Sequence, residues 1–235
     1  MTREDGLPPE SDATSIIAAA FAPLAGKRLL DIGCGAGALA RSLSDRGAHV
    51  AGVDPNAEAL ALAREAVPTG TFHTAGAETL PFADDSFDGA IFLNSLHHVP
   101  EPAMHAALGE AARVVGPAGP IVVVEPLAAG SFFLALRPVE DETAVRTAAQ
   151  ETLRRAIESG AFEQLRQVNY LRRELFEDLD QFLVRIVAVD PARAAVVAER
   201  RSNVEAALRR HAQVAADGRV VLEQPMRAHV LTARA

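Results

Sequence analysis

Leu29-Leu-Asp-Ile-Gly-Cys-Gly-Ala-Gly37 is the stretch whose reading decides the fold. An apolar run enters a glycine-dense turn, and Ala38, Leu39, Ala40 and Leu43 continue at once in a helix-like pattern. Gly33, Gly35 and Gly37 lack a Cβ, so the backbone can bend tightly there and admit a ligand close to the main chain. Free N–H groups at the start of the following helix would then form a polar cradle. Strand, turn and helix make the first crossover of a doubly wound α/β sheet, where ligands bind at the carboxyl ends of strands.

Two ligand classes use such a turn. Gly33-x-Gly35-x-x-Ala38 fits the dinucleotide fingerprint, in which backbone amides hold a pyrophosphate. Asp31 argues the other way. A carboxylate two residues before the first glycine would repel a pyrophosphate, whereas S-adenosylmethionine presents a sulfonium and an ammonium. Asp54 closes the next apolar run, His49-Val-Ala-Gly-Val-Asp54, where its carboxylate can accept from ribose hydroxyls. Both ligands carry ribose, so Asp54 does not discriminate between them.

Four blocks now stand in one order: Leu30-Asp-Ile-Gly-Cys-Gly-Ala-Gly37, Val53-Asp-Pro55, Glu78-Thr-Leu-Pro-Phe82 with Ser86-Phe-Asp88, and Leu96-His-His-Val99. Through them the chain resembles the class I S-adenosylmethionine-dependent methyltransferases, in particular the small-molecule branch that includes the ubiquinone/menaquinone C-methyltransferases. The resemblance runs from Lys27 to Glu125. It implies S-adenosyl-L-methionine as cofactor, S-adenosyl-L-homocysteine as product, and a small-molecule acceptor of undetermined atom. It implies cofactor contacts from Asp31, Gly33, Cys34, Gly35, Gly37, Asp54, Pro55, Ala77, Glu78 and Asn94. That family usually has an aspartate, on the adenine amino group, at the position Gly76 occupies here; the Ala77 backbone or the Glu78 carboxylate would have to substitute.

Composition bounds the alternatives. The 235 residues suit one domain, or one with a sizeable insertion, and 49% are apolar, enough for a substantial core. A net charge of -8 disfavours a nucleic-acid partner, which needs a concentrated basic surface. One cysteine excludes an internal disulfide and suits a reducing cytosol, hence an expected cytoplasmic location. Cys34 reads first as a small side chain chosen for fit. The charged, Pro-rich start does not resemble a signal peptide. The apolar stretch Ile121–Leu136 is interrupted by Glu125, Pro126, Gly130 and Ser131, so no integral membrane association is expected.

In order along the chain, Met1–Pro9 reads as a frayed tail. Asp12–Phe21 reads as a helix capped by Asp12 or Thr14; in the resembled family such a helix helps cover the cofactor. Strands are expected at Lys27–Ile32, His49–Val53, Thr71–Thr74, Ser86–Leu93 and Ile121–Glu125. Helices are expected at Ala38–Arg46, Ala57–Ala66 and Pro102–Val115. Alternation of this kind predicts a mostly parallel sheet. Gly218–Glu223 and Met226–Ala233 read as two terminal strands joined at Gln224-Pro225, which gives seven strands in a Rossmann-like methyltransferase fold.

Val139–Ala216 shows helical periods and almost no strand signal. Leu171, Leu175, Leu179, Phe182 and Ile186 make one stripe, and Val197, Val204, Leu208 and His211 another, opened by Asp190-Pro191. The expectation is a helical insertion between strands five and six. Residues 1–126 and 217–235 would form the cofactor-binding core, and residues 127–216 a substrate lid presenting Phe132, Phe133, Phe162, Tyr170 or Phe176 to an apolar substrate. Homodimerisation through the same stripes is the competing account. The insertion's arginines read as solvated faces paired with glutamates.

Methyl transfer needs an aligned nucleophile, exclusion of water and, for a protonated nucleophile, a base. No metal site or nucleophilic triad is therefore expected. His97 or His98 is the candidate base, since neutral imidazole is available near physiological pH; Glu125 is a weaker one. Two other readings stay open: a nucleotide-dependent oxidoreductase, disfavoured by Asp31 and the later blocks, and a non-catalytic cofactor-binding partner protein.

Overall fold

A computed structural model describes residues 12–117 and 119–234. The tail read at Met1–Pro9 lies outside them. Five strands follow the apolar runs: β1 Arg28–Ile32, β2 His49–Asp54, β3 Thr71–Thr74, β4 Gly89–Leu93 and β5 Pro120–Pro126. Between and before them lie α1 Ala13–Ala20, α2 Ala38–Ser44, α3 Ala57–Ala66 and α4 Glu101–Val115. The pairs β1–β2, β2–β3, β1–β4 and β4–β5 are parallel, with Leu30 opposite both Ala51 and Ala90, and Ala90 opposite Ile121. Strands covered on both faces carry continuous apolar sequence, as Ile121-Val-Val-Val124 does.

Local chemistry sets the helix ends. Asp12 caps α1 by accepting from Ser15 N at 2.8 Å, and Asn56 caps α3 through Glu58 N and Ala59 N. Pro68 follows the end of α3, and α4 stops at Gly116, where φ is 76°. The chain runs outward through β1, β2 and β3, then crosses back to β4 on the far side of β1. That reversal opens a crevice at the carboxyl ends of β1 and β4.

Downstream come α5 Ser131–Leu136, α6 Thr143–Glu158, β6 Phe162–Phe176, α7 Leu179–Val189, α8 Arg193–His211, β7 Gln213–Val214 and β8 Val220–Ala233. The sheet order is β3-β2-β1-β4-β5-β8-β6, with the two-residue β7 paired to β8. A mostly parallel, doubly wound α/β sheet with seven strands on its main path matches the expected class. Two local expectations do not hold. The stretch expected to be helical is crossed by β6, and the terminal hairpin is the single strand β8.

Both errors have a physical origin. Leu171 and Leu175 are four apart, and residues four apart share a face in a strand as well as in a helix. Only Leu179, Phe182 and Ile186 belong to a helix, α7, which Asp178 caps through Gln181 N. β6 ends the sheet and is largely polar, Glu163 to Gln167 being exposed, so it lacks the apolar alternation of a half-buried strand. At Gln224-Pro225, proline leaves one strand amide missing, yet the buried Gln224 side chain donates to the carbonyls of Leu127, Ala129 and Pro225. The strand therefore continues through it. Asp190-Pro191 also stands two residues before α8, in a preceding turn.

The described chain falls into two compact units, residues 12–125, 148–168 and 227–234 in one, and residues 126–147 and 169–226 in the other. The core of the first is centred on Leu30, Ile32, Phe92, Met104, Leu108 and Val123, with Ala149 and Leu153 of α6 and Leu231 of β8. Each such large side chain contributes about 1.5–3 kcal/mol by leaving water. The core of the second holds Phe132, Phe176 and Phe182, whose rings lie 5.4–6.5 Å apart. Phe132, Phe133, Phe162, Tyr170 and Phe176 are all buried. The first and last of these belong to this core, and Phe162 to that of the other unit, so they are not rings held out for an apolar substrate.

Beside that second core lies a buried ionic network. Arg146 donates to Glu142 Oε2 through Nε at 2.8 Å, to Gln224 and to the Leu127 carbonyl, and sits over the Phe133 ring. Arg193 joins Glu142 at 3.2 Å and Glu140 at 2.6 Å. The arginines noted in the sequence mostly pair with acids on the surface, as Arg154 does with Glu151 and Glu158, and Arg209 with Glu205.

Candidate cofactor site

The loop after β1 spends its amides on the protein itself. Gly33 N and Cys34 N both donate to the Val53 carbonyl, at 2.8 and 3.0 Å, and Gly35 N donates to Asp54 Oδ2 at 2.8 Å. These three amides are therefore not part of the cradle expected at the start of α2. Gly33 has φ 76°, and a Cβ on it would fall 2.4 Å from the Ser95 Cβ, so glycine is demanded by both conformation and close approach. Cys34 is buried, and its Sγ would stand 2.7 Å from a Cβ at Gly52. Burial, then Asp31 and Asp54, push the thiol's pKa well up; it fills space.

Asp31 is 2% exposed, and its Oδ2 has no partner among the described residues. The Ala40 amide in α2 supports the carboxylate, but burial and the charge of Asp54 push its pKa up to about 7. Asp54 sits at the end of β2 with one oxygen on Gly35 N and the other on Asn56 N at 2.9 Å. The loop thus offers acceptors, and two of them are negative groups that repel each other.

The turn after β4 faces this loop. Asn94 takes a left-handed φ of 54°, and its Oδ1 is buried without a partner. Ser95 Oγ donates to the Ile32 carbonyl at 2.6 Å, and a 3₁₀ turn covers Leu96–His98. His97 and Glu125 are 4% and 1% exposed and hydrogen-bond to each other through Nδ1 and Oε2. His98 is exposed and stacks on the His97 ring with centroids 4.0 Å apart. After β3, the Glu78 carboxylate lies where a side chain at Gly76 would begin, 2.5 Å from a Cβ there. The Leu80–Asp84 segment is latched by Glu110 and Arg113, through Leu80 N at 2.8 Å and the Leu80 and Phe82 carbonyls.

These elements enclose a cavity of about 330 Å³, within the range of about 300–1,000 Å³ usual for small-molecule sites. Of the sequence candidates, Gly33, Asp54, Pro55, Ala77, Glu78, Asn94 and His98 line it. Asp31, Cys34, Gly35, Gly37 and His97 are not among the lining residues, although Asp31 is close enough to Asp54, which is, for the two charges to repel. Ile32, Ala75, Phe92, Ser95 and Val99 also line it; sequence reading missed them because they look like ordinary strand ends. Asp54 and Glu78 suit hydroxyl and amino donors, and the unpartnered oxygens of Asp31 and Asn94 suit a cationic amine. S-adenosylmethionine carries all of these groups, so the residues present fit it.

Residues 29–119 match the model of a methyltransferase domain. A ubiquinone biosynthesis O-methyltransferase of Aromatoleum aromaticum is 40% identical over 105 residues, 43% of this chain and 44% of that protein. The match therefore spans less than half the length of that relative. The YcgJ protein of Bacillus subtilis superposes with a TM-score of 0.67 at 20% identity, over 94% of this chain and 98% of its own. A methyltransferase of Geobacter sulfurreducens in complex with S-adenosyl-L-homocysteine gives 0.58 at 17% identity, over 97% and 93%. Residues 29–119 are thus similar to a methyltransferase domain, and the chain shares the fold of the solved S-adenosylmethionine-dependent methyltransferases.

Proposed function

We propose that the protein transfers a methyl group from S-adenosylmethionine to a small molecule. One observation carries the cofactor assignment: Asp31 Oδ2 is buried and unanswered beside a loop whose amides are already committed. A pyrophosphate would meet the like charges of Asp31 and Asp54 there; an ammonium would find an acceptor in want of a donor. This disfavours a nucleotide-dependent oxidoreductase on structural grounds.

The bound cofactor supplies an activated methyl group on a sulfonium. Asp31 and Asn94 would hold its amine end, Asp54 its ribose hydroxyls, and Glu78 an amino group at the far end of the cavity. The protein's remaining work is to align the acceptor, exclude water and accept a proton. His98 is the imidazole that lines the cavity and takes the base role; His97, committed to Glu125, does not.

The proposed cofactor residues all fall within residues 29–119, where the resemblance to methyltransferases lies, and the acceptor is assigned only as a small molecule. The net charge of -8 favours that class over a nucleic acid. No helix among the described residues is long and apolar enough to cross a membrane. Calorimetry with S-adenosyl-L-homocysteine tests the reading: micromolar-range binding, about 8 kcal/mol, supports it, and silence with clear binding of NAD overturns it.

A further inference from the structure

We infer that Glu125 is the positioning residue of the cavity wall formed by Asn94, Ser95, His98 and Val99, acting through two backbone amides and the His97 ring. The inference rests on reading the cavity as the cofactor site. Glu125 ends the apolar run Ile121-Val-Val-Val124, at a place where burying a carboxylate is costly unless its oxygens are well answered. They are. Oε1 accepts from Ser95 N at 3.1 Å and Leu96 N at 2.8 Å, and Oε2 accepts from His97 Nδ1.

The two amides are those that open the 3₁₀ turn, and such groups have no partner within the turn itself. Ser95 stands at the capping position but its side chain makes no cap bond; its hydroxyl is used on Ile32 instead. A carboxylate from β5 thus caps a turn that follows β4, while Ser95 ties the same turn to β1. Just before these two anchors sits Asn94, in a left-handed conformation that Asn tolerates better than most residues. Removing the Glu125 anchor frees the turn that carries four lining residues.

The third contact fixes a ring. A carboxylate only accepts, so His97 carries a proton on Nδ1. The ring held in this way is the surface on which His98 stacks. Glu125 does not line the cavity; it sets where His98 stands. This accounts for the charge that sequence reading placed among weak candidate bases.

Glu125→Gln separates the two jobs. Its carbonyl oxygen still accepts from Ser95 N and Leu96 N, but its NH₂ faces Nδ1 and forces the proton of His97 to Nε2. The expected result is S-adenosyl-L-homocysteine affinity within about threefold of wild type, together with a changed His97 tautomer in ring-nitrogen NMR. Glu125→Ala loses both jobs: hydrogen exchange at Ser95 and Leu96 accelerates, and affinity falls about tenfold or more. Retention of the Nδ1–H tautomer in Glu125→Gln, or wild-type affinity in a folded Glu125→Ala, overturns the proposal. If Glu125→Ala does not fold, the Glu125→Gln tautomer decides. If wild type binds no S-adenosyl-L-homocysteine, the cofactor reading fails, while the tautomer and exchange measurements still judge Glu125.

Discussion

The loop after β1 and the ionic network of the other unit both bury charge, and they leave it in opposite states. In the network, Arg146 reaches Glu142, Gln224, the Leu127 carbonyl and the Phe133 ring, while Arg193 takes Glu140 and the remaining oxygen of Glu142. None of these residues has a buried polar atom left over. In the loop, Asp31 keeps an unanswered oxygen and has Asp54, of like charge, for company. A buried charge with every partner in place is scaffold. One left short is a place for something that arrives later.

Breaking the network gives the largest effect. Arg146→Ala leaves Glu142 without its bidentate partner and should lower stability by about 3–5 kcal/mol in denaturant titration, with cofactor affinity of the folded protein unchanged. A loss below about 1 kcal/mol would mean that these charges are effectively solvated. Asp31→Asn should do the reverse: cofactor binding weakens by about 2–5 kcal/mol, while the ligand-free protein melts at a higher temperature because a desolvated carboxylate is gone.

Asp54→Ala sharpens the contrast, since Asp54 serves both roles. It should weaken cofactor binding by about 1–3 kcal/mol and also release Gly35 N and Asn56 N; wild-type titration would remove Asp54 from the site. The smallest effect belongs to Gly76→Asp. An empty place there would have welcomed an acid, but the Glu78 carboxylate already occupies it. The substitution should weaken binding by less than about 1 kcal/mol through like-charge crowding, and adding Glu78→Ala should restore it. Tighter binding by Gly76→Asp alone would show that Glu78 is not the substitute.

What the sequence revealed and what it hid follow the same division. Ala57–Ala66, Thr71–Thr74 and the strand end at Ile32 were readable because local signals agree there: Pro68 as a stop, apolar runs as buried strands. β6 was hidden because an edge strand carries polar residues on its open side, and its leucines fall at a spacing common to both periods. At the site, Asp31 announced itself by breaking an apolar run. Glu125 breaks one in the same way, but its partners Ser95 and Leu96 lie about 30 residues away, a pairing only the folded sheet creates. The bonds of the Gly33, Cys34 and Gly35 amides to Val53 and Asp54 likewise arise only where β1 and β2 pair.

The central claim is that Asp31 waits for a cationic ligand, and proton release on binding tests it most directly. Asp31 has its pKa raised from 3.8 to about 7 by burial and Asp54. The ligand-free protein therefore gains stability as pH falls through 7 toward 4, where only the folded state holds the proton, and loses that contribution as pH rises. A bound ammonium favours the ionised form and must pull this pKa down. Calorimetry with S-adenosyl-L-homocysteine near pH 7, in buffers of different ionisation enthalpy, should show net proton release. Affinity should rise toward tenfold per pH unit between pH 5 and 7, and Asp31→Asn should abolish both. Binding without proton release, or with an unchanged pH profile in Asp31→Asn, would contradict the account.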